Sequence, residues 1–528
     1  MAPITPILII FTGIVAAAIS YLSMTGVSLL AIRCGFVDRP DSQRKLHDRP
    51  VALGGGVGIW LAIWVSMCLM AVCEMSLGDL FAEQSWSLLG VFLASFLIVL
   101  LGLLDDLFQL RGRHKLIGQI AIASLLINFG YQVRAVNLFG VQIELGLLSV
   151  PITLGWLLLA VNSLNLIDGI DGLASTIGLI LSTTLACLAF LNGHFVEALL
   201  LSMMGGALAG FLPFNFPPAR MYLGDAGSMF IGLWLGAISI RASLKGPTLT
   251  GLAAPLAAWS IPLLDTFAAI VRRKLTGRSI YTTDRGHLHH CLQQIAGSTR
   301  RTLYFIVLAC LATCLGALTS VSMKSDVFAV ISVISVIGVL VATRSFGYGE
   351  LQLLSGKLRA LAHSLIPGRD REKISPQQQE VRLQGSRPWE RLWDSLLDFT
   401  EPFNLTRMRL DVDIPVCQEY YHVSWTKAED TDLQPQWEIK IPLGNGNRPL
   451  GRLSIGGFHN GDSASALLAK LFSALPAFET QFQEVIMLGA VDPVGDSSSG
   501  DARNDEPRSA GKQLEEVRRL PPIMQVTQ

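Results

Sequence analysis

The sequence feature that decides the fold is a polar stretch between two apolar runs, residues 161–172, VNSLNLIDGIDG. Two asparagines and two aspartates recur in it at intervals of three residues: Asn162, Asn165, Asp168 and Asp171. The apolar runs on either side cover residues 152–160 and 173–191. Amides and carboxylates at the ends of such runs are costly unless they bind a charge or a metal ion. The stretch therefore predicts a functional site beside membrane-spanning helices.

The composition is typical of a polytopic membrane protein. Of the 528 residues, 51% are hydrophobic and only 16% are charged, whereas soluble domains carry about 25% charged residues. Apolar runs of about 20 residues, long enough to cross a bilayer as a helix, recur through the first two thirds of the chain. The first run has no basic region before it, which favours a retained span over a signal peptide cleaved near residues 16–18. The eight cysteines show no CxxC pair and no Cys/His metal spacing, so we interpret them as small apolar residues.

Hydropathy predicts about eleven candidate spans. They cover residues 4–32, 53–75, 87–104, 116–130, 147–163, 173–192, 196–213, 227–243, 251–270, 302–320 and 327–344. The predicted fold class is an all-α polytopic membrane protein of about eleven transmembrane helices with a small cytoplasmic α+β C-terminal domain. An external hairpin is predicted at 131–146.

The distribution of basic residues predicts the orientation in the membrane. Arginines and lysines occupy the loops after the first, third, seventh and ninth spans. The loops on the other side contain only Arg134, Arg241, Lys245 and Lys324. Since basic loops remain in the cytoplasm, the N-terminus is predicted to lie outside and the region from about 345 inside.

Composition divides the chain into four predicted regions. They are a transmembrane domain at 1–345, a linker at 346–386, a cytoplasmic α+β domain at 387–488 and a disordered tail at 489–528. The α+β domain has predicted helices at 389–399 and 464–488 and predicted strands at 407–412, 422–425, 436–443 and 449–455. No motif in this domain predicts a ligand.

A second polar loop places two carboxylates side by side at the end of the third span. It covers residues 101–119, LGLLDDLFQLRGRHKLIGQ, and contains Asp105, Asp106 and Lys115. Adjacent carboxylates repel each other, so a cation is needed nearby, and magnesium or Lys115 would serve. The alternative interpretation is a solvated helix end.

A third polar loop covers residues 213–232, PFNFPPARMYLGDAGSMFIG. Its Asp225 lies near the predicted N-terminus of a span, among small residues, where a phosphate or a hard cation can bind. Asn215 lies ten residues earlier, and Tyr222 could stack on a base or pack in the core.

Two other loops are rich in basic residues. Residues 272–292, RRKLTGRSIYTTDRGHLHHCL, contain Arg285, His287, His289 and His290. Arginines and histidines together favour an anion site, with a zinc site or a plain basic loop as alternatives. Residues 44–56, RKLHDRPVALGGG, are either determinants of membrane orientation or a phosphate contact.

Taken together, the loops offer oxygen ligands for magnesium and cations for phosphate, close to lipid. This combination predicts phosphoryl transfer between a soluble and a lipid-linked phosphate compound at the cytoplasmic membrane surface. A transporter is the first alternative, but its ionisable residues should lie near mid-membrane rather than at span ends. A membrane-anchored sensor that works through residues 387–488 is the second alternative.

Four motifs resemble those of the polyprenyl-phosphate N-acetylhexosamine-1-phosphate transferases, a family of the glycosyltransferase family 4 type. The motifs are LLDDLFQLRGRHKLIGQ, NSLNLIDGIDGLA, NFPPARMYLGDAGS and DRGHLHH, in family order within about residues 30–345. The resemblance implies a multi-pass protein of the bacterial inner membrane with a cytoplasmic active site. It also implies the reaction, in which a lipid phosphate attacks the sugar-linked phosphorus of a UDP-sugar and UMP leaves.

The resemblance assigns the phosphate-binding roles. It implies that Asp225 binds magnesium, with manganese as the alternative metal. Asp105 and Asp106 lie on the side of the lipid phosphate, with Asp105 as the candidate base. Lys115 and Asn165 contact the substrate phosphates or the nucleotide.

The resemblance also assigns a nucleotide pocket and a sugar site. Asp171 would read uracil, Tyr222 would stack on it, and Asp168 and Asn215 would line the same pocket. The loop with Arg285 and the three histidines would hold the sugar or the diphosphate.

The histidine pattern suggests the donor. A Gly-His-X-His-His pattern after Asp-Arg resembles the members that use UDP-N-acetylglucosamine (UDP-GlcNAc), with UDP-MurNAc-pentapeptide or another UDP-N-acetylhexosamine as the alternative. The implied partners are therefore a UDP-sugar, a polyprenyl phosphate such as undecaprenyl phosphate, and the membrane. No nucleic-acid partner is expected, and a homodimer is left open.

Overall fold

The computed structural model of the protein describes residues 5–38, 51–138, 141–244, 253–275, 286–348, 377–384, 388–414, 419–427, 436–444, 450–458 and 478–486, with isolated positions between 351 and 476. The chain divides into two compact units, Met1–Tyr348 and Gly349–Gln528.

The first unit is a helical bundle. Its described helices are α1 (Pro6–Arg33), α2 (Gly55–Cys73), α3 (Met75–Glu83), α4 (Ser85–Phe108), α5 (Gly112–Asn128), α6 (Ser149–Ile167), α7 (Leu173–Leu191), α8 (Phe195–Asn215), α9 (Gly224–Leu244), α10 (Ala253–Ala258), α11 (Ser260–Leu275), α12 (Leu288–Ala296), α13 (Thr299–Ser322) and α14 (Val327–Ala342). Within the described residues, seven helices are long and apolar enough to cross a membrane: α1, α2, α4, α6 with the turn before it, α7, α8 and α13. The polytopic fold class is thus confirmed.

Two of the remaining predicted spans differ from simple crossing helices. The helix α5 has 17 residues, which at 1.5 Å per residue is about 25 Å, short of a bilayer core of about 30 Å. The span predicted at 251–270 is divided between α10 and α11. The break lies at Trp259 because Pro262 has no N–H to donate to the carbonyl of Ala258. The total of eleven spans stays a prediction.

The outer surface of the bundle is apolar. On α1, Ile7 is 77% exposed and Leu22 is 70% exposed, and on α13, Leu308 is 66% exposed. Large apolar side chains on several helices of one unit are suited to contact lipid chains rather than water. This surface supports a multi-pass arrangement in the membrane.

The helix α9 lies at the centre of the bundle, where glycines allow two other helices to approach its first turn. A Cβ atom on Gly102 of α4 would lie 2.3 Å from the Cα of Ala226, and one on Gly56 of α2 would lie 2.3 Å from the nitrogen of Gly227. Only glycine permits such a close backbone approach. The approach brings the end of α4, with its two aspartates, to the N-terminus of α9.

The glycine-rich loop at 54–56 joins the loop before α9 through backbone hydrogen bonds. Tyr222 N–H donates to the carbonyl of Ala52 at 2.9 Å, and Gly55 N–H donates to the carbonyl of Tyr222 at 3.1 Å. This part of the first basic loop therefore has a packing role. Its basic residues 44–49 lie outside the described residues, so their phosphate contact stays a prediction.

The predicted hairpin is confirmed, and its position outside the membrane stays a prediction. Two antiparallel strands, β3 (Ala135–Leu138) and β4 (Val141–Glu144), connect α5 to α6. Two shorter paired strands, β1 (Val37–Asp38) and β2 (Val51–Ala52), precede α2.

The second unit has a five-stranded antiparallel sheet. In spatial order its strands are β5 (Gln377–Gln384), β7 (Glu419–Thr426), β6 (Leu405–Ile414), β9 (Gly451–Gly457) and β8 (Trp437–Leu443). A helix at Trp389–Leu397 and a helical segment at 478–486 contribute to its apolar core.

In this second unit, the four predicted strands and the first predicted helix are confirmed. The linker prediction is wrong at 377–384, where the polar sequence forms the edge strand β5, because backbone pairing with β7 does not require apolar side chains. Residues 489–528 lie outside the described residues.

Candidate active site

A cavity of about 630 Å³ opens where the polar loops of the bundle meet. Its lining includes six carboxylates, the amide of Asn215 and the phenol of Tyr222. The carboxylates are those of Asp38, Asp105, Asp106, Asp168, Asp171 and Asp225. All of these except Asp38 were predicted from the sequence as site residues. Such a density of carboxylates requires cations in or beside the cavity.

Asp106 caps the central helix α9. Its Oδ1 accepts a hydrogen bond from Asp225 N–H at 2.9 Å, and its Oδ2 accepts one from Ala226 N–H at 3.3 Å. These are N–H groups of the first helical turn, which have no partner inside the helix. Gly224 has a φ of +72°, and a Cβ atom there would lie 2.7 Å from Oδ2 of Asp106. Asp106 thus fixes the orientation of Asp225, and its predicted place beside the lipid phosphate stays a prediction.

Lys115 is a cation that contacts two of the lining carboxylates. Its Nζ atom lies 2.7 Å from Oδ2 of Asp105 and 2.9 Å from Oδ2 of Asp225, and it donates to Oδ1 of Asn165 at 3.1 Å. Asp105 also accepts a hydrogen bond from Leu110 N–H at 2.8 Å. The sequence predicted that either magnesium or Lys115 would separate the adjacent aspartates, and Lys115 is the partner of Asp105.

Asn165 holds Asp225 from the other side. Its Nδ2 atom donates to Oδ1 of Asp225 at 2.6 Å and to Oγ of Ser228 at 3.0 Å. Lys115 and Asn165 therefore lie behind Asp225, where they orient its carboxylate. The substrate contacts predicted for these two residues stay predictions.

Asp168 differs from its neighbours in having no hydrogen-bond or ion-pair partner within the described part of the chain. It follows the last residue of α6 and faces the cavity. Burial and the charges of Asp225, Asp106 and Asp171 raise the pKa of Asp168 well above its ordinary value. A carboxylate in this setting is stabilised by a bound cation.

The nucleotide-pocket candidates connect α7 to the loop before α9. Asp171 accepts a hydrogen bond from Ala219 N–H at 2.9 Å. Asn215 is buried, accepts from the hydroxyl of Ser175 at 2.6 Å, and donates to the carbonyl of Met221 at 2.9 Å. The amide of Asn215 therefore positions this loop, and its predicted contact with substrate stays a prediction.

Tyr222 lines the cavity with its hydroxyl protonated at neutral pH. Burial and the charges of Asp171 and Asp38 raise its pKa to about 12. Its predicted stacking on uracil stays a prediction.

The histidine segment packs behind the cavity, against the stretch 161–172. His289 is 1% exposed, and a Cβ atom on Gly169 would lie 2.1 Å from its Nε2. Burial, together with His290 and His287, lowers the pKa of His289 to about 3, so its ring is neutral. Ring centroids of His289 and His290 are 4.2 Å apart. Since none of the three histidines lines the described cavity, their contact with the sugar stays a prediction, and Arg285 lies outside the described residues.

Asp265 is a residue that the sequence analysis did not select. It is fully buried on α11, and its Oδ2 lies 2.9 Å from Nδ1 of His287. The sequence signal that could have identified Asp265 is a single carboxylate inside the apolar run SIPLLDTF. The hydropathy analysis included this run in the span predicted at 251–270. A lone aspartate in such a run indicates a buried polar partner.

The described residues do not support the zinc alternative. Among them, no group of three or more His, Cys, Asp or Glu side chains is arranged to hold a metal ion by itself. Magnesium is a different case, because it commonly binds one or two carboxylates and completes its ligand shell with substrate phosphates and water.

Replacing Gly169 with alanine is expected to lower kcat/KM for the UDP-sugar implied by the family resemblance about 10- to 100-fold. The added methyl group would overlap the buried ring of His289, and misplacement of a binding loop by about 1 Å has effects of this size. The matched control is Gly155→Ala, where no atom lies within 4 Å of the added Cβ. Equal kinetics for the two variants would contradict the close contact between Gly169 and His289.

The helical bundle and its acidic cavity define a class of protein, the multi-pass membrane enzymes that act on phosphorylated substrates at helix ends. Residues 88–243 match the sequence model of the family described as Glycosyl transferase family 4. The chain is 32% identical over 284 residues to the probable undecaprenyl-phosphate N-acetylglucosaminyl 1-phosphate transferase of Bacillus subtilis, covering 53% of this chain and 76% of the relative. The chain therefore belongs to this family of membrane transferases.

Two other relatives show the breadth of the similarity. A decaprenyl-phosphate N-acetylglucosaminephosphotransferase of Mycolicibacterium smegmatis is 34% identical over 364 residues, covering 63% of this chain and 86% of the relative. A phospho-N-acetylmuramoyl-pentapeptide-transferase of Streptococcus pyogenes is 31% identical over 264 residues, covering 47% of this chain and 76% of the relative. The resemblance inferred from the four motifs is confirmed, and the transporter alternative is not favoured. A sensor role for residues 387–488 stays a prediction.

Proposed function

We propose that the chain transfers N-acetylglucosamine-1-phosphate from UDP-GlcNAc to undecaprenyl phosphate or another polyprenyl phosphate and releases UMP. This would be the initiating step in the synthesis of a lipid-linked cell-envelope polysaccharide. The observation that carries the proposal is the convergence of Lys115, Asn165 and Asp225 beside a carboxylate-lined cavity. The names of relatives at 32% and 34% identity support GlcNAc-1-phosphate as the transferred group.

The chemistry proposed for this cavity is a single displacement at phosphorus. An oxygen of the lipid phosphate forms a bond to the phosphorus attached to the sugar, and the bond from that phosphorus to the UMP oxygen breaks. The products are a polyprenyl diphosphate sugar and UMP. The second pKa of a phosphate monoester is about 6, so the lipid phosphate is largely a dianion at neutral pH and needs no strong base.

In this scheme the main task of Asp105 is positioning. Its ion pair with Lys115 at 2.7 Å and its bond from Leu110 N–H hold the lysine toward Asp225. Lys115 then neutralises negative charge on the transferred phosphoryl group, which is the dominant requirement in such reactions. The role of Asp105 as general base stays a prediction.

The residues present fit a divalent cation. Asp168 has a carboxylate without a partner in the described part of the chain, and Asp225 lies in the same cavity at the N-terminus of α9. These two aspartates would hold magnesium, with manganese as the alternative, and substrate phosphates would complete the ligand shell. The bound ion would neutralise charge on the diphosphate.

The nucleotide and the sugar are assigned to different residues near the C-terminal end of the stretch 161–172. We assign uracil to Asp171 and Tyr222, which line the cavity wall. The sugar is assigned to the histidine segment that packs on Gly169. With the basic loops inside, the cavity would open to the cytoplasm of a bacterial inner membrane.

The assay that tests the proposal uses the purified full chain with labelled UDP-GlcNAc, undecaprenyl phosphate and Mg²⁺. We expect UMP and lipid-linked GlcNAc-1-phosphate to form in equal amounts, only when both substrates are present. EDTA should abolish the reaction and added Mg²⁺ should restore it. Faster transfer from UDP-MurNAc-pentapeptide would overturn the donor assignment, and UMP release without lipid phosphate would overturn transfer itself.

A further inference from the structure

Two side chains of α11 contact the start of the histidine segment and hold its backbone in place. Asp265 is fully buried and makes two contacts: its Oδ1 accepts from Leu288 N–H at 2.7 Å, and its Oδ2 lies 2.9 Å from Nδ1 of His287. Two turns further along α11, the buried guanidinium of Arg272 lies beneath Gly286, where a Cβ atom would be 2.3 Å from its Cζ. Both contacts fix the backbone on either side of His287.

We propose that Asp265 is a positioning residue that keeps the proton of His287 on Nδ1 and leaves Nε2 as the ring nitrogen for the sugar-1-phosphate. The inference rests on the proposed function, in which the histidine segment binds the sugar or the diphosphate. Asp265 itself is buried and does not line the described cavity.

The proton assignment follows from what each group can donate. An ionised carboxylate only accepts hydrogen bonds, so the ring nitrogen facing Asp265 must carry a proton. In a neutral ring, Nε2 then has a free lone pair, and in a charged ring it is a second donor directed away from Asp265. Either way, one defined nitrogen is presented to substrate.

The ring stacked on His287 carries no charge. The ring of His289 is stacked on it with centroids 5.9 Å apart, and it is neutral because its pKa is lowered to about 3 by burial and by the neighbouring histidines. His290 lies beyond His289. On α11, Asp265 contacts His287 directly and Arg272 lies beneath Gly286. Asp265 is therefore the group that decides the tautomer.

A purely structural role for Asp265, capping the first N–H of α12, makes a different prediction. In Asp265→Asn the side-chain oxygen must still face Leu288 N–H, because an amide group placed there would set two donors against each other. The amide nitrogen then faces Nδ1 of His287 and forces the proton onto Nε2. The helix cap is preserved while the tautomer is inverted.

We expect Asp265→Asn to lower kcat for GlcNAc-1-phosphate transfer about 100-fold or more. Its Tm and its KM for UDP-GlcNAc should change little, because the cap and the loop position are kept. The matched control is Asp79→Asn on α3, an exposed aspartate, which should behave as the wild type. A wild-type kcat in Asp265→Asn would overturn the proposal.

The tautomer can be measured without any substrate. Side-chain ¹⁵N spectra of histidine-labelled protein, with His287 identified from its absence in His287→Gln, should show Nδ1 protonated in the wild type and Nε2 protonated in Asp265→Asn. A wild-type ring protonated on Nε2 alone, or a kcat loss without a tautomer change, would overturn the proposal. Failure of the proposed function is recognised separately, as absence of transfer by the wild type.

Discussion

Replacing Asp225 with asparagine is expected to lower kcat for GlcNAc-1-phosphate transfer by about 10³-fold or more. Its carboxylate is held by Lys115 at 2.9 Å and by Asn165 at 2.6 Å, and its own N–H is bound by Asp106. Asparagine keeps the size of the side chain but removes the charge that a hard cation requires. The loss should therefore come from metal binding and charge placement, together with the donor–donor contact that the new amide makes with Lys115 or Asn165.

The measurement that isolates this effect is the Mg²⁺ dependence of the rate at saturating UDP-GlcNAc. Asp225→Asn should need a much higher Mg²⁺ concentration for half-maximal activity, whereas the fall in Tm caused by the lost ion pair with Lys115 should already be present without Mg²⁺. Asp79→Asn serves as the exposed control. An unchanged Mg²⁺ requirement would contradict the proposal that Asp225 binds the metal ion.

Replacing Lys115 with glutamine is expected to impair both activity and stability. The lysine side chain is 15% exposed and contacts Asp105, which is 9% exposed, and Asp225, which is 35% exposed. Removing the lysine leaves two carboxylates facing each other without a cation, which is destabilising, and solvent at the partly exposed Asp225 weakens the repulsion. We expect a lower Tm in detergent and a fall in kcat of about 10²-fold or more, because the same charge is needed by the phosphoryl group.

Two further variants separate the loss of stability caused by unpaired carboxylates from the loss of phosphoryl transfer. Arg113→Gln removes an exposed cation from the same loop and should leave both Tm and kcat near wild type. The double variant Lys115→Gln/Asp105→Asn removes the pair together, so it should recover Tm but not activity. Recovery of both by the double variant would show that Lys115 has no role beyond neutralising Asp105.

The candidate site shows how much local sequence could predict. The carboxylates at the span ends predicted a polar site, and Asp105, Asp168 and Asp225 do line the cavity. Sequence spacing could not distinguish their tasks. Asp106 and Asp105 are neighbours in the chain, yet Asp106 caps α9 while Asp105 pairs with Lys115, because successive side chains at a helix end point in different directions.

The errors have equally specific causes. Asp265 was included in a span because hydropathy averages over a window and cannot register one buried carboxylate with two partners. The strand β5 was assigned to a linker because its sequence is polar, whereas its pairing with β7 depends on backbone groups. The span at 251–270 is broken near Pro262, a position that the apolar average did not distinguish.

By itself, the sequence determined that the chain is a multi-pass helical membrane transferase, because apolar runs of bilayer length and four ordered motifs are local properties of the chain. Only the tertiary structure decided which polar groups are partners. Lys115 and Asp225 are 110 residues apart, and Asp106 and Asp225 are 119 residues apart. Their meeting depends on the close approach of α4 to α9 at Gly102. The stretch VNSLNLIDGIDG contributes its aspartates and Asn165 to this meeting point, and the packing of three other helices gives each of them its task.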